Sequence, residues 1–441
     1  MRAAQLFEPV RTVTIVALLC ALGVILSRPA TGHSQQAPAA APEKPLPTRI
    51  VIDVDNPERD YYRIAVPNVL GDTALGGTGG EVVRNDLRLV SLFNVLNPTS
   101  FIADLKKEGL SFTKPPWSSV GAQGVVKGQI TGSGGSIVVE MRLYELARGE
   151  SAVLTKTYRG SSAQLRGFMH DFANEILRVL TGKPGSFGTR VTFTRKVGTG
   201  RKDVYVADFD GENQGRSSNG KGIAMLSAFG SSKGVWYSVL SEAGMYITNT
   251  KSRGAPVITG SGLNMGVSIC GGRAFFSSSR DGNSEIYSAN LDGSDVRRLT
   301  NNPGIDISPT CGAGGKIAFV STRHGGPQIF VMGSSGGEAK RITYKGEHNQ
   351  TPAWCDDPEN PMIAFTGREG GNFDIFTVSL KTGEYTRVTQ GQGNNQDPAF
   401  SPDCRMIAFA SSRGGMFIAS PKGLNQTKVI SGGVSNIRWA H

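Results

Sequence analysis

Two pentapeptides, Gly230-Ser231-Ser232-Lys233-Gly234 and Gly333-Ser334-Ser335-Gly336-Gly337, have the Gly-x-Ser-x-Gly spacing. That spacing exposes a nucleophilic serine only on a strand-to-helix turn. Both lie in Gly/Ser-rich connections between strand-like runs, and a chain with 58 glycines meets the pattern by chance. Gly76-Gly77-Thr78-Gly79-Gly80 loosely resembles a phosphate cradle but lacks its Gly-Lys-Ser/Thr ending, so a flexible helix entry is expected there. Asp208-Phe209-Asp210-Gly211-Glu212-Asn213 and Asn290-Leu291-Asp292-Gly293-Ser294-Asp295 open like calcium loops without the closing acidic residue. They read as Asp-Gly hairpin turns. The five histidines assemble no triad: His33 falls in a linker-like stretch, His170 in a helix, His324 and His348 in strand connections and His441 at the terminus. No partner carboxylate is indicated for any of them. The sequence therefore predicts no catalytic, cofactor or metal site, with a weakly bound ion in a central channel left open.

Cys20 sits in an apolar run, and Cys270, Cys311, Cys355 and Cys404 follow much later without any Cys-x-x-Cys spacing. A zinc or redox motif is not supported. In an oxidising compartment the last four could pair in any of three connectivities. The competing reading is that they are small buried thiols filling equivalent repeat positions.

The elements that must position any site divide the chain into four. Arg2 and Arg11 precede an uninterrupted apolar run from Val13 to Leu26, short for a membrane span but suited to a signal-peptide core. With a cleavage candidate at Ala30-Thr31-Gly32, residues 1–32 are expected to be a signal peptide, leaving no transmembrane segment in the mature chain. Residues 33–48 are rich in Ala, Pro and Gln and read as a flexible linker. Residues 49–183 mix strands and helices. Arg49-Ile50-Val51-Ile52-Asp53 is the first strand-like run, Arg63-Ile64-Ala65-Val66 the next, and Glu81 to Phe93 places Val83, Leu87 and Val90 on one helical face. Gly124 to Ile130 and Ile137 to Met141 form a hairpin, Ala152 to Tyr158 a third strand. Ser162 is the expected cap of a helix that buries Leu165, Phe168, Met169, Phe172, Ile176 and Leu180.

Residues 188–441 repeat. Ala274-Phe275-Phe276, Ile317-Ala318-Phe319, Ile363-Ala364-Phe365 and Ile407-Ala408-Phe409 recur at intervals of 43, 46 and 44 residues. Each is followed by an Ile-aromatic piece and a basic-apolar-Thr piece, giving four short strands per copy, the arithmetic of a β-propeller blade. Weaker copies at Val191-Thr192-Phe193 and Val235-Trp236-Tyr237 raise the count to six. The first copy lacks an inner strand, and the orphan Asn436-Ile437-Arg438-Trp439 is expected to supply it and close the ring. The fold class is thus an α/β domain followed by an all-β six-bladed propeller. The formal net charge is +11, but the basic residues are scattered rather than interleaved with aromatics, so no nucleic-acid partner is expected.

A polar residue stands five positions before the inner-strand aromatic or cysteine: Asp306, Asn349 and Asn395. Such residues cap turns, but equally placed loops on a rigid ring also suit a binding surface. Three further stretches carry a family resemblance: Arg49 to Asp53, Trp117-Ser118-Ser119-Val120-Gly121 leading into Val125-Val126-Lys127-Gly128-Gln129, and Asn394-Asn395-Gln396-Asp397-Pro398-Ala399-Phe400-Ser401-Pro402-Asp403. With these the chain resembles the TolB family of the Tol–Pal system, although Cys404 replaces the glycine of that family's Ser-Pro-Asp-Gly turn. The resemblance implies a non-enzymatic periplasmic adaptor supporting outer-membrane integrity and constriction at division. It implies binding of the peptidoglycan-associated lipoprotein Pal at the propeller mouth, through Asn264, Val267, Asp306, Ile307, Ser308, His348, Asn349, Gln350, Asn394, Asn395 and Asp397. It also implies binding of TolA through Arg49, Ile50, Val51, Ile52 and Asp53. The alternative is an exported propeller hydrolase, a peptidase or glycosidase.

Overall fold

The computed structural model describes residues 61–440 except 134, 221, 231–233 and 243. The expected signal peptide, the linker, Cys20, His33, the Arg49–Asp53 strand, the middle of the first Gly-x-Ser-x-Gly match and His441 lie outside the described residues. No helix among the described residues is long and apolar enough to cross a membrane.

The amino-terminal part is a five-stranded sheet in the order Phe93–Val95, Tyr62–Ala65, Gly124–Ser133, Ser136–Glu145, Leu154–Ser161. Its first two pairings are parallel and the last two antiparallel. Helices Thr73–Leu89 and Leu165–Thr181 pack on one another and on the sheet. Val83, Leu87, Phe172, Ile176 and Leu180 are fully buried between them.

Two helix starts differ from expectation. The first helix does not begin after the glycine run but contains it, capped by the Asp72 carboxylate, which accepts from the Leu75 N–H at 2.8 Å. A Cβ at Gly76 would lie 2.0 Å from the Val69 carbonyl oxygen, and one at Gly80 would lie 3.0 Å from Asn68 Cα. The glycines let this helix approach the preceding backbone more closely than any side chain would allow. The second helix is entered through a 3₁₀ turn, Ser162–Gln164, and the capping box uses Ser161 rather than Ser162, with Gln164 answering it. Gly182, at φ 84°, ends it.

The rest is a β-propeller. Four separate four-stranded antiparallel sheets begin at Asn264, Asp306, His348 and Asn395, and a seven-stranded sheet holds the weaker first copies. In that larger sheet the carboxy-terminal strand Val434–Trp439 pairs antiparallel with Arg190–Gly198. The inner strands pack in sequence, Ile223–Phe229 on Asn264–Cys270, then Asp306–Gly312, His348–Cys355, Asn395–Phe400 and Val434–Trp439. The last of these packs back on Ile223–Phe229.

The repeated residues have repeated tasks. The second-strand aromatic faces an aromatic across the ladder: Phe193 with Tyr205, Phe276 with Tyr287, Phe319 with Phe330, Phe365 with Phe376 and Phe409 with Phe417. These ring centroids are 5.7 to 6.1 Å apart. The repeated threonine explains the fourth piece. Thr300, Thr343 and Thr389 hydroxyls accept from the N–H of Ile286, Ile329 and Ile375 at 2.9 to 3.0 Å. They donate to Glu285, Gln328 and Asp374 at 2.6 to 2.7 Å. The cysteines pair, Cys270 with Cys311 and Cys355 with Cys404, each joining neighbouring sheets. The free-thiol reading is thereby replaced.

Candidate functional site

Every inner strand opens with the same irregularity. The ladder register slips once, and a residue at the slip takes a left-handed backbone: Leu226 (φ 54°), Gly266 (67°), Ser308 (56°), Thr351 (49°), Asp397 (56°) and Asn436 (53°). Such bulges turn the strand end and aim its side chains. The N–H at the bulge is held by a hydroxyl of the preceding sheet, Ser238 for Gly266, Ser277 for Ser308 and Thr366 for Asp397, at 3.0 to 3.1 Å. For Asn436 the equivalent acceptor is the Asp397 carboxylate, at 2.6 Å. Burial raises the Asp397 pKa, against the Asn436 N–H and the Arg438 charge.

The segments expected to be loops are therefore the first residues of inner strands, and half of the expected contact residues are buried. Asn264 accepts from Ser278 and Arg280, each at 2.8 Å, and donates to the Met245 and Gly260 carbonyls. Asp306 accepts from Arg323 and Asn302 at 2.8 Å. Burial, the largest influence, raises its pKa against the bonded Ser321 and the Arg323 charge. Asn349 donates to Gln328 and to the Lys345 carbonyl at 2.8 Å, and Asn395 to the Gly393 carbonyl at 3.1 Å. Val267 and Asp397 are buried as well. These six side chains are turned into the blades, where the five polar ones bond neighbouring groups at the strand ends and Val267 packs in the apolar core. Ile307, Ser308, His348 and Gln350 remain half-buried and Asn394 exposed. His348 Nε2 lies 3.0 Å from Gln350 Oε1.

One residue ahead of Asn264, Asp306 and Asn395 the chain is exposed, and ahead of Asn349 it is half-buried. Leu263 is 41% and Ile305 47% exposed, large apolar side chains at equivalent positions on neighbouring sheets. His348 and Asn394 are their counterparts. The register is the same, since the carbonyls of Leu263, Ile305 and Asn394 accept from Ser279, Thr322 and Ser412 at 2.8 to 3.0 Å.

The Gly-x-Ser-x-Gly match at Gly333 is a tight hairpin between strands Gln328–Gly333 and Gly336–Arg341, with no helix after it. The Asp-Gly stretches are turns, closed by Gly211 N–H to Asp208 O and Gly293 N–H to Asn290 O. One histidine contradicts its expected isolation. His170 is buried, its Nδ1 lies 2.8 Å from Asp86 Oδ2, and its Nε2 faces Asp210 Oδ2 at 3.9 Å. Sequence gave no signal for this, since Asp86 and Asp210 lie 84 and 40 residues away in different elements.

The geometry defines an α/β sheet domain carried on a β-propeller. The profile of the TolB amino-terminal domain matches residues 50–152 and that of the TolB beta propeller domain residues 177–368. The Tol-Pal system protein TolB of Anaeromyxobacter dehalogenans strain 2CP-C is 35% identical over 307 residues, 65% of this chain and 68% of its own. That of Desulfosudis oleivorans is 34% identical over 267 residues, 56% and 60% respectively. The chain belongs to the TolB family, a non-enzymatic family of the Tol-Pal system. The crystal structure of TolB from Acinetobacter baumannii shares the fold, with a TM-score of 0.73 at 23% identity over 87% of this chain and 97% of that one.

Proposed function

We propose that this chain is a periplasmic adaptor of the Tol–Pal system that binds Pal at the propeller mouth and TolA through Arg49–Asp53, supporting outer-membrane integrity and constriction at division. In this reading residues 1–32 are the signal peptide, 33–48 the linker, 49–183 the α/β domain and 188–441 a six-bladed propeller closed by its last strand. The observation that carries it is the set of inner-strand openings, in which buried Asn264, Asp306, Asn349 and Asn395 hold an outer row of Leu263, Ile305, His348 and Asn394 at matching positions. Two exposed apolar residues on neighbouring sheets, with half-buried His348 and exposed Asn394 in the same row, suit a partner that covers an apolar centre with a polar rim. Ile307, Ser308 and Gln350 belong to the same surface, and the scattered net charge of +11 suits an acidic partner through long-range steering. No bound cofactor enters the reading. Calorimetry with purified Pal and TolA domains tests it. Deleting residues 33–53 is expected to abolish TolA binding and spare Pal, and unchanged TolA affinity would overturn that assignment.

A further inference from the structure

The helix pair and the first blade meet around one ionisable cluster. Asp86 comes from helix Thr73–Leu89, His170 and Arg166 from helix Leu165–Thr181, and Asp210 from the turn after strand Arg201–Asp208. The side chains of Asp86, His170 and Asp210 are 5% exposed or less. Arg166 Nη2 bonds Asp210 Oδ2 at 2.5 Å, while Asp86 Oδ1 and His170 Nε2 have no hydrogen-bond partner. Gly188 lies against the His170 Cβ, and the Phe209 ring packs on the imidazole at 5.6 Å.

The arrangement selects a protonation state. A neutral imidazole that donates through Nδ1 to Asp86 must turn its Nε2 lone pair toward the Asp210 carboxylate, which repels it. A protonated ring presents N–H to both carboxylates and brings two negative and two positive charges to balance. The donor types would also suit a metal ion, but the Arg166 guanidinium already occupies the Asp210 oxygen that faces the ring, and a second cation would be repelled there.

We propose that Asp86, His170 and Asp210 form a proton-operated latch fastening the helix pair to the first blade. The inference does not depend on the identity of any partner. Burial opposes charging of His170, yet the bond its Nδ1–H donates to Asp86 and the two carboxylate charges raise its pKa. Burial pushes Asp86 up to about 6. A folded-state pKa above the unfolded one means stability present below the unfolded value, about 6.5 for histidine, and lost as pH rises through the folded value. The latch is fastened around neutral pH, above the Asp86 value of about 6 and below the raised His170 value, and released on the alkaline side.

The test uses the full mature chain with selectively labelled histidine, following ring titration by NMR and amide exchange of residues 204–213 corrected for intrinsic chemistry. His170→Gln assigns the ring signal, and Asp210→Asn serves if that variant folds poorly. Expected are a ring midpoint above about 6.5, a lower midpoint in Asp210→Asn, and exchange protection that falls several-fold through the midpoint in the native chain but not in the variant. A midpoint at or below the unperturbed value, protection flat with pH in the native chain, or loss of the ring titration on adding Zn²⁺ would each overturn the latch.

Discussion

Asp374 in the blades and Asp210 at the junction are both buried carboxylates that hold an arginine, yet they are built into different company. Asp374 receives the Thr389 hydroxyl at 2.7 Å, Arg387 at 2.5 Å and Asn395 at 3.4 Å, all neighbours supplied by the repeat. Glu285 and Gln328 occupy the same place in other blades and hold Thr300 and Thr343 in the same way. Asp210 receives Arg166 and faces a histidine nitrogen that bonds nothing. In the blades most partners come from residues at fixed offsets, so bonding there follows from the period. At the junction, residues from three unrelated elements meet once, and the fit depends on a proton. Repetition supplies rigidity, and this unrepeated contact supplies a response.

Substitutions at five places press on that difference. Asp374→Ala removes the acceptor of a threonine, an arginine and an asparagine together and is expected to destabilise by about 3–5 kcal/mol, read by chemical unfolding. A loss under about 1 kcal/mol would mean the repeated lattice is slack. Replacing Cys355 and Cys404 by serine opens a link spanning 49 residues and is expected to cost about 2–4 kcal/mol, visible as a lower unfolding midpoint than in the oxidised chain. Asp397→Ala strands the Asn436 N–H and should cost about 1–3 kcal/mol, whereas Asp397→Asn keeps an acceptor and should lose much less. Thermal melts that separate the two variants would show that this bond contributes to holding the last strand. Thr343→Val leaves the Ile329 N–H unpaired for about 1 kcal/mol. Its bonding partners carry no titratable group, so the loss should be equal on both sides of neutrality. Destabilisation by His170→Gln should instead shrink as pH rises through the folded pKa of the ring, and equal pH profiles for the two variants would erase the distinction between blade and junction.

What could be read from residues alone divides along the same line. The recurring aromatics, the repeated threonines and the four-strand rhythm are legible because each occurs several times at nearly constant spacing, while the pairing and the clasps they make are seen only in the fold. The glycine run at 76–80 misled because its reason, close approach to Val69 and Asn68, is a tertiary contact. Ser161 and Ser162 are adjacent, and only the position of Gln164 in space decides which one caps. The polar residues before the inner strands are legible as turn caps, but periodicity gives a position and not a direction, and only the fold shows that their side chains face inward. Asp86, His170 and Asp210 share no motif and no period, and nothing short of the fold brings them together.

The central claim is that the openings of the inner strands form a partner surface whose outer row makes the contact. Titrating a purified Pal domain into the mature chain and into a Leu263→Asp/Ile305→Asp variant tests it most directly, with thermal melts to verify that both chains fold alike. The account predicts at least about a tenfold loss of affinity, near 1.4 kcal/mol, at an unchanged melting temperature. Equal affinity for the two chains would contradict it.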